Sequence, residues 1–178
     1  MSETTAAPAP RIWTKDGFRE DDWIHADDTE ALAGNNRIIV PLDAFLALEP
    51  SAREGARDRI GVLLAPGEAL EALVPYLDTL PLVALAFPAF SDGRSYSKAV
   101  LLRSRHGYRG TVRAAGDVLI DQIPLMLRTG FDVLEVANEV ALSRLSEGRV
   151  EGITFRYQPS ATEEEAGARY SWRRLPAA

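Results

Sequence analysis

The 178-residue chain contains no cysteine. This absence excludes disulfides, thiol redox chemistry, a cysteine nucleophile and thiolate-ligated iron–sulfur clusters. Histidine is also scarce, because only His25 and His106 are present, and they have no spacing that supports a zinc site. The chain has neither a Gly-x-Gly-x-x-Gly fingerprint nor a P-loop lysine. We therefore expect no metal and no other cofactor.

The chain also lacks an excess of basic residues and long apolar runs. The formal net charge is −6, which argues against nucleic-acid binding and against docking on an anionic membrane surface. No apolar run approaches the ~20 residues of a membrane-spanning helix. The first residues have no basic segment followed by an apolar one, as a signal peptide would. We expect a cytoplasmic bacterial protein.

What is present is the composition of a globular protein, with 46% hydrophobic and 26% charged residues. The length favours one domain with short appendages. We predict a disordered tail at 1–10, an arm or hairpin at 11–36, a single α/β domain at 37–158, and a C-terminal arm or tail at 159–178.

Six strand-sized apolar runs lie within the predicted domain. They are Arg37–Val40, Ile60–Ala65, Leu82–Phe87, Thr111–Ala115, Asp132–Val136 and Gly152–Tyr157. These runs barely alternate in polarity, as expected for strands that are covered on both faces.

Helical patterns separate the runs. Leucine and valine at 70, 73, 74 and 77 form an apolar stripe that Pro75 interrupts. Three caps are predicted: Ser95 for a helix over 96–105, Asp121 for a helix that ends at 130, and Asn138 for a helix over 139–147. Alternating strands and helices indicate an α/β fold with a mostly parallel sheet, either open and three-layered or partial-barrel-like.

Charged residues follow the ends of two consecutive strands. Asp92 and Arg94 come after the run that ends at Phe87, and Asp117 follows the run that contains Arg113. Ligands bind at the carboxyl ends of the strands in such sheets, so these four side chains are a candidate anion site. The alternative is structural, since Arg113 and Asp92 can form a buried ion pair and the other carboxylates can cap helices. Lys98 is interpreted as a solvated lysine.

The same segment carries the residues of a family signature. They are Phe87-x-x-Phe90-x-Asp92-Gly93-Arg94, Ser97, Leu102-Arg103, Gly107-Tyr108-x-Gly110, Arg113-Ala114-x-Gly116-Asp117-Val118-Leu119-x-Asp121-Gln122 and Gly130-Phe131-Asp132. On these residues the chain resembles an uncharacterised bacterial family associated with assimilatory sulfite reduction, whose members are often labelled oxidoreductases. The resemblance implies a role in sulfur assimilation and cysteine biosynthesis. It implies no catalytic residues.

Two hypotheses remain open. In the first, the chain is an accessory protein that binds sulfite reductase, its electron donor or a small oxyanion. In the second, it is a small enzyme that acts on an anionic metabolite, although nothing in the chain is suited to carry electrons. The candidate ligand-binding or structural residues are Asp92, Gly93, Arg94, Ser97, Arg103, Arg113, Asp117, Asp121, Gln122 and Asp132. Whether the protein is an enzyme, and its oligomeric state, stay open at this point.

Overall fold

A computed structural model of the protein describes residues 9–89 and 91–150, which form one eight-stranded sheet with helices. The strands are β1 (Arg11–Thr14), β2 (Gly17–Arg19), β3 (Trp23–His25), β4 (Arg37–Pro41), β5 (Ile60–Leu64), β6 (Leu82–Phe87), β7 (Thr111–Gly116) and β8 (Val133–Val136). The α-helices are α1 (Leu42–Ala47), α2 (Pro50–Ala56), α3 (Arg94–Val100), α4 (Ile123–Thr129) and α5 (Glu139–Ser146). The predicted strand at 152–157 and the predicted arm at 159–178 lie outside the described residues.

The sheet is mixed. Its strand order is β2-β1-β8-β7-β6-β5-β4-β3. Strands β3 to β8 pair in parallel, whereas β1 pairs antiparallel with both β8 and β2. The α/β class is confirmed, but the prediction of a mostly parallel sheet is corrected to a mixed one. The reason is that residues 11–19 form a hairpin at the β8 edge.

The sheet curls into a half-barrel. Strands β2 and β3 stand at opposite edges of the sheet, yet only residues 20–22 join them. Such a connection reaches about 14 Å at ~3.6 Å per residue, whereas eight flat strands at ~4.8 Å spacing would separate the edges by about 34 Å. Curling brings the edges together. It also explains how His25 on β3 contacts Glu135 on β8, five strands away.

The two faces of the curled sheet differ in character. Val83, Leu85 and Phe87 of β6 point to the outer face, where they join the main core formed with the helices. Leu82 and Ala84 of the same strand point to the inner face, in a smaller apolar cluster. Residues aligned with Ala84 share that inner face, and Arg113 of β7 is among them. The inner face therefore combines apolar side chains with a buried cation.

Five predicted strands are found: β6 has its predicted bounds, and β4, β5, β7 and β8 each differ from theirs by one residue at one end. The predicted helix over 70–77 is wrong. Two 3-10 turns, Leu70–Ala72 and Val74–Tyr76, replace it. Pro75 has no N–H to donate, and its ring would clash with the carbonyl four residues earlier, so an α-helix cannot continue through it.

The predicted caps have different outcomes. Asn138 is confirmed, because its side chain accepts a hydrogen bond from the Ala141 N–H at 3.0 Å. Helix α3 instead begins after Gly93, and the Ser95 hydroxyl donates to the Ala86 carbonyl at 2.6 Å. Helix α4 begins after Gln122, one residue beyond Asp121. Gly130 ends α4, as predicted, and its φ of 107° is in the left-handed region that glycine favours.

None of the helices in the described part of the chain is long and apolar enough to cross a membrane.

Candidate functional site

Asp92, in the loop between β6 and α3, forms an ion pair with Arg94, the first residue of α3, at the carboxyl ends of the parallel strands, which we call the carboxyl edge of the sheet. The Arg94 Nε and Nη2 atoms donate to the two oxygens of Asp92 at 2.9 and 2.7 Å. The hydrogen bond from Arg94 is the main reason that the pKa of Asp92 lies below its ordinary value. The Arg94 side chain is 64% exposed. The pair therefore orients a guanidinium whose third nitrogen, Nη1, is not bonded to Asp92 and lies beside Gly67 in the loop after β5.

Lys98 lies one turn after Arg94 on α3 and is buried, so its interpretation as a solvated lysine is wrong. Its ammonium donates to the carbonyls of Ala65 and Pro66, at 2.6 and 3.0 Å, in the loop that follows β5. Burial lowers the pKa of Lys98, and the charge of Glu68 offsets part of this effect. The lysine fastens the loop after β5 to the helix that carries Arg94.

Tyr96 contributes a second buried polar group at this edge. Its hydroxyl is inaccessible to solvent and has no hydrogen-bond partner within the described residues. Burial, together with the negative charge of Asp121, raises the pKa of Tyr96 to about 12. The ring packs edge-on against Phe87, with centroids 5.1 Å apart. An unpaired buried hydroxyl is uncommon, because its loss of hydration is not compensated.

Asp117 is exposed at the end of β7, close to the loop after β6. Its backbone N–H donates to the Phe87 carbonyl at 2.7 Å. The preceding Gly116 has a φ of 105°, and a Cβ there would stand 2.4 Å from the same carbonyl oxygen. This close approach requires glycine and aligns the ends of β6 and β7. Asp92, Arg94, Asp117 and Asp121 therefore all lie along one edge of the sheet.

Arg113 lies elsewhere, on the inner face, and its partners are Asp21 and Glu135 rather than Asp92. The arginine is 2% exposed. Its Nη1 donates to Asp21 Oδ1 at 2.9 Å, and its Nε forms an ion pair with Glu135. Glu135 also contacts His25, with 2.6 Å between Oε1 and Nε2. We call Asp21, Arg113, Glu135 and His25 the inner-face network.

Asp21 is the member of the inner-face network with a shifted pKa. Partial burial acts to raise the pKa of Asp21, but the hydrogen bonds from Arg113 and from the Trp23 N–H act against it, as do the charges of Arg113 and His25. The result is a pKa below the ordinary value. Asp21 lies in the connection that joins the two edge strands, so its bond to Arg113 holds that connection over the inner face.

Arg103 and Asp132 are at the opposite, amino end of the sheet. Arg103 donates to the carbonyls of Tyr108, Gly110 and Gly130 and pairs with the Asp132 carboxylate. Asp132 also accepts from the Val112 N–H at 2.9 Å. These contacts tie together three chain segments. They give both residues a structural role and separate them from the carboxyl edge.

The remaining predicted residues belong to the carboxyl edge without joining the ion pair. Gly93 precedes α3, Ser97 is exposed on that helix, and the Gln122 side chain accepts from the Leu119 N–H at 3.3 Å. A Cβ on Gly93 would meet only the Tyr96 ring, at an ordinary 3.7 Å. Nothing in its surroundings requires glycine.

Sequence reasoning missed Lys98 and three members of the inner-face network, Asp21, His25 and Glu135. A signal for Lys98 exists, since residues 95, 98, 99 and 102 have the spacing of one helix face and all four are buried. Glu135 stands in an otherwise apolar strand, which is the same kind of signal that marked Arg113. No local pattern points to Asp21 or His25.

Within residues 9–89 and 91–150, no group of three or more His, Asp or Glu side chains is arranged to hold a metal ion. The chemistry available at the carboxyl edge is that of an oriented arginine, a buried lysine and several carboxylates. Arginine in this setting is suited to binding a carboxylate or another oxyanion.

Comparison with known proteins identifies the family of the chain. A search of curated proteins finds no match to the chain. The bacterial proteins of unknown function designated DUF934 match over residues 61–167, which is more than half of the chain. The match includes all of β5 except Ile60, the strands β6 to β8 and the Asp92–Arg94 pair. The chain belongs to this family of bacterial proteins of unknown function.

Proposed function

We propose that the protein is an accessory protein of assimilatory sulfite reduction, and that it binds a small oxyanion at the carboxyl edge of its sheet. The place in sulfur metabolism is supported by the family signature between Phe87 and Asp132, as described above. The oxyanion is supported by one structural observation, the exposed Arg94 guanidinium that Asp92 holds in a fixed orientation.

The Asp92–Arg94 pair is suited to weak, selective anion binding. Two of the guanidinium nitrogens are occupied by Asp92, which leaves Nη1, beside Gly67 of the loop after β5, as the remaining donor. Lys98 adds a second positive charge on the same helix, and Asp92 and Glu68 supply negative charge around it. Because the charges nearly balance, we expect a dissociation constant of about 1 mM, equivalent to roughly −4 kcal/mol.

Binding of a protein partner is compatible with the same edge. We infer that the partner is sulfite reductase or its electron donor. Arg94 is exposed, and arginine is enriched in interface hot spots. Affinity capture from a lysate of the native organism should recover one of the two. Capture of neither, with both present in the lysate, would contradict this part of the proposal.

Isothermal titration calorimetry tests whether the protein binds an oxyanion through Arg94. Sulfite and sulfate are titrated separately into the wild-type protein and into Arg94→Gln, at low ionic strength where surface charges are least screened. The matched control is Arg105→Gln, which removes an exposed arginine from the far end of the same helical segment. We expect Arg94→Gln to lose binding and Arg105→Gln to retain it. Equal binding by the two variants would show that the Arg94 site is wrong.

A small enzyme acting on an anionic metabolite is the second candidate, and buried Lys98 is the observation that favours it. Burial lowers the pKa of Lys98, and this is the direction of shift that a lysine acting as a general base requires. Enzymatic turnover would appear as continued loss of the metabolite's NMR signals beyond one equivalent of protein. Lys98→Met should abolish turnover while Arg105→Gln retains it. Metabolite signals that stay constant would favour the accessory protein.

A further inference from the structure

His25 and Glu135 form a close pair on the inner face of the half-barrel, away from the Asp92–Arg94 edge. Their Nε2 and Oε1 atoms are 2.6 Å apart. The Glu135 side chain is 7% exposed, whereas that of His25 is 40% exposed. The pair thus has a buried carboxylate on one side and an accessible imidazole on the other.

The partners of Glu135 determine which imidazole nitrogen carries the proton. Arg113 forms an ion pair with Glu135 and is held in turn by Asp21, so the carboxylate has a fixed position. A carboxylate only accepts hydrogen bonds, so the contact requires a proton on Nε2 of His25. In the neutral ring the Nδ1 atom then carries a lone pair. Within the described residues Nδ1 has no hydrogen-bond partner.

We propose that His25 is the proton acceptor of a second ligand site, with Glu135 as its positioning residue. A carboxylate that fixes the tautomer of an imidazole and leaves the other nitrogen basic is the arrangement by which histidine serves as a general base. A purely structural tie would need only the contact between Nε2 and the carboxylate. It would not need a second nitrogen, Nδ1, that is without a partner among the described residues on a ring that is 40% exposed.

Charge restricts the class of ligand. The inner-face network has two carboxylates and one guanidinium, so it is negative when His25 is neutral. Exposed Asp27 and Asp28 follow β3 and add further negative charge, whereas the charge of Asp22 is offset by its ion pair with Arg37. This field repels oxyanions. The site is therefore suited to a neutral or cationic molecule that offers an O–H or N–H, which distinguishes it from the oxyanion site proposed above.

The tautomer is tested by long-range ¹H–¹⁵N NMR at a pH where the imidazole is neutral. We expect the proton on Nε2 and a lone-pair nitrogen at Nδ1 in the wild-type protein. In Glu135→Gln, which keeps the size of the side chain but removes its charge, the preference for this tautomer should weaken. A proton on Nδ1 in the wild-type protein would overturn the proposal.

Reactivity is tested with p-nitrophenyl acetate, a neutral ester. His25 Nδ1 takes a proton from a water molecule as the water oxygen attacks the ester carbonyl, p-nitrophenolate leaves, acetate is formed, and the imidazolium then releases its proton to solvent. We expect His25→Gln to lower the rate about tenfold, a modest part of the contribution that a positioned base makes. His106→Gln is the matched control and should leave the rate unchanged.

Glutamine at position 25 can still donate to Glu135, so His25→Gln should remain folded, which circular dichroism checks. A folded His25→Gln with the wild-type rate would contradict the proposal and reduce the pair to a structural tie. Equal losses in His25→Gln and His106→Gln would contradict it as well, because the rate would then reflect any accessible histidine.

Discussion

Removal of the Arg113 guanidinium leaves Glu135 buried on the inner face of the sheet without its cation. Arg113→Met keeps most of the volume and apolar stem of the side chain, so the change is mainly electrostatic. The carboxylate of Glu135 cannot recover its hydration, because its side chain is 7% exposed. Asp21 is 31% exposed and can turn towards water. The cost therefore arises chiefly at Glu135.

Loss of one partner from a buried ion pair costs about 3–5 kcal/mol. We expect Arg113→Met to lower the free energy of unfolding by that amount. For a chain of this size, the melting temperature should fall by roughly 10 °C. Arg57→Met is the control, because Arg57 is 55% exposed and pairs with the exposed Glu54, so its loss should cost about 0–1 kcal/mol.

Urea unfolding followed by circular dichroism measures both variants. A further variant separates charge from packing: Arg113→Met combined with Glu135→Leu removes both charges and should recover most of the stability. If Arg113→Met loses no more stability than Arg57→Met, the inner-face network does not hold the half-barrel together. If the double variant is less stable than Arg113→Met, the cost lies in packing rather than in the unpaired carboxylate.

Three other changes have defined outcomes. Gly116→Ala should destabilise the protein by about 1–3 kcal/mol, because the added Cβ would press on the Phe87 carbonyl and the residue has a positive φ. The control is Gly55→Ala, at an exposed helix position, which should be neutral or stabilising. The midpoints of urea unfolding measure both effects. The pKa of Asp21 is below its ordinary value of 3.8, so its stabilisation is complete above that pH and is lost as the pH falls through the folded-state pKa. Asp21→Asn should therefore lower the unfolding free energy near neutral pH and have little effect at pH values well below the folded-state pKa of Asp21. Asn138→Ala removes the cap of α5 and should cost about 1 kcal/mol by thermal unfolding, unless that helix is held by packing alone.

Local sequence patterns correctly predicted the strands and helix caps that depend only on residues close together in the sequence. The strand from Leu82 to Phe87 is a continuous apolar run and is found at its predicted bounds. Asn138 caps the helix that follows it, since the capping bond joins residues three apart. The prediction of a helix at 70–77 was wrong, because Pro75 prevents an α-helix there instead of only kinking one.

The curl and the inner-face network depend on contacts that no local pattern contains. Arg113 was recognised as a cation that needs a partner, but the partner could not be named. Asp21 is 92 residues away in the sequence, and His25 and Glu135 are separated by 110. These pairs meet only because the short connection between β2 and β3 draws the sheet edges together. For the same reason Arg113 lies on the inner face, bonded to Asp21, and not in the site with Asp92 and Arg94 that the sequence predicted.

Growth of a deletion strain on sulfate as its sole sulfur source tests the proposed function most directly. The strain should fail to grow on sulfate and should grow on cysteine. Genes for the wild-type protein and for Arg105→Gln should restore growth on sulfate, whereas the gene for Arg94→Gln, expressed at the same level, should not. Normal growth of the deletion strain on sulfate, or full rescue by Arg94→Gln, would contradict the account.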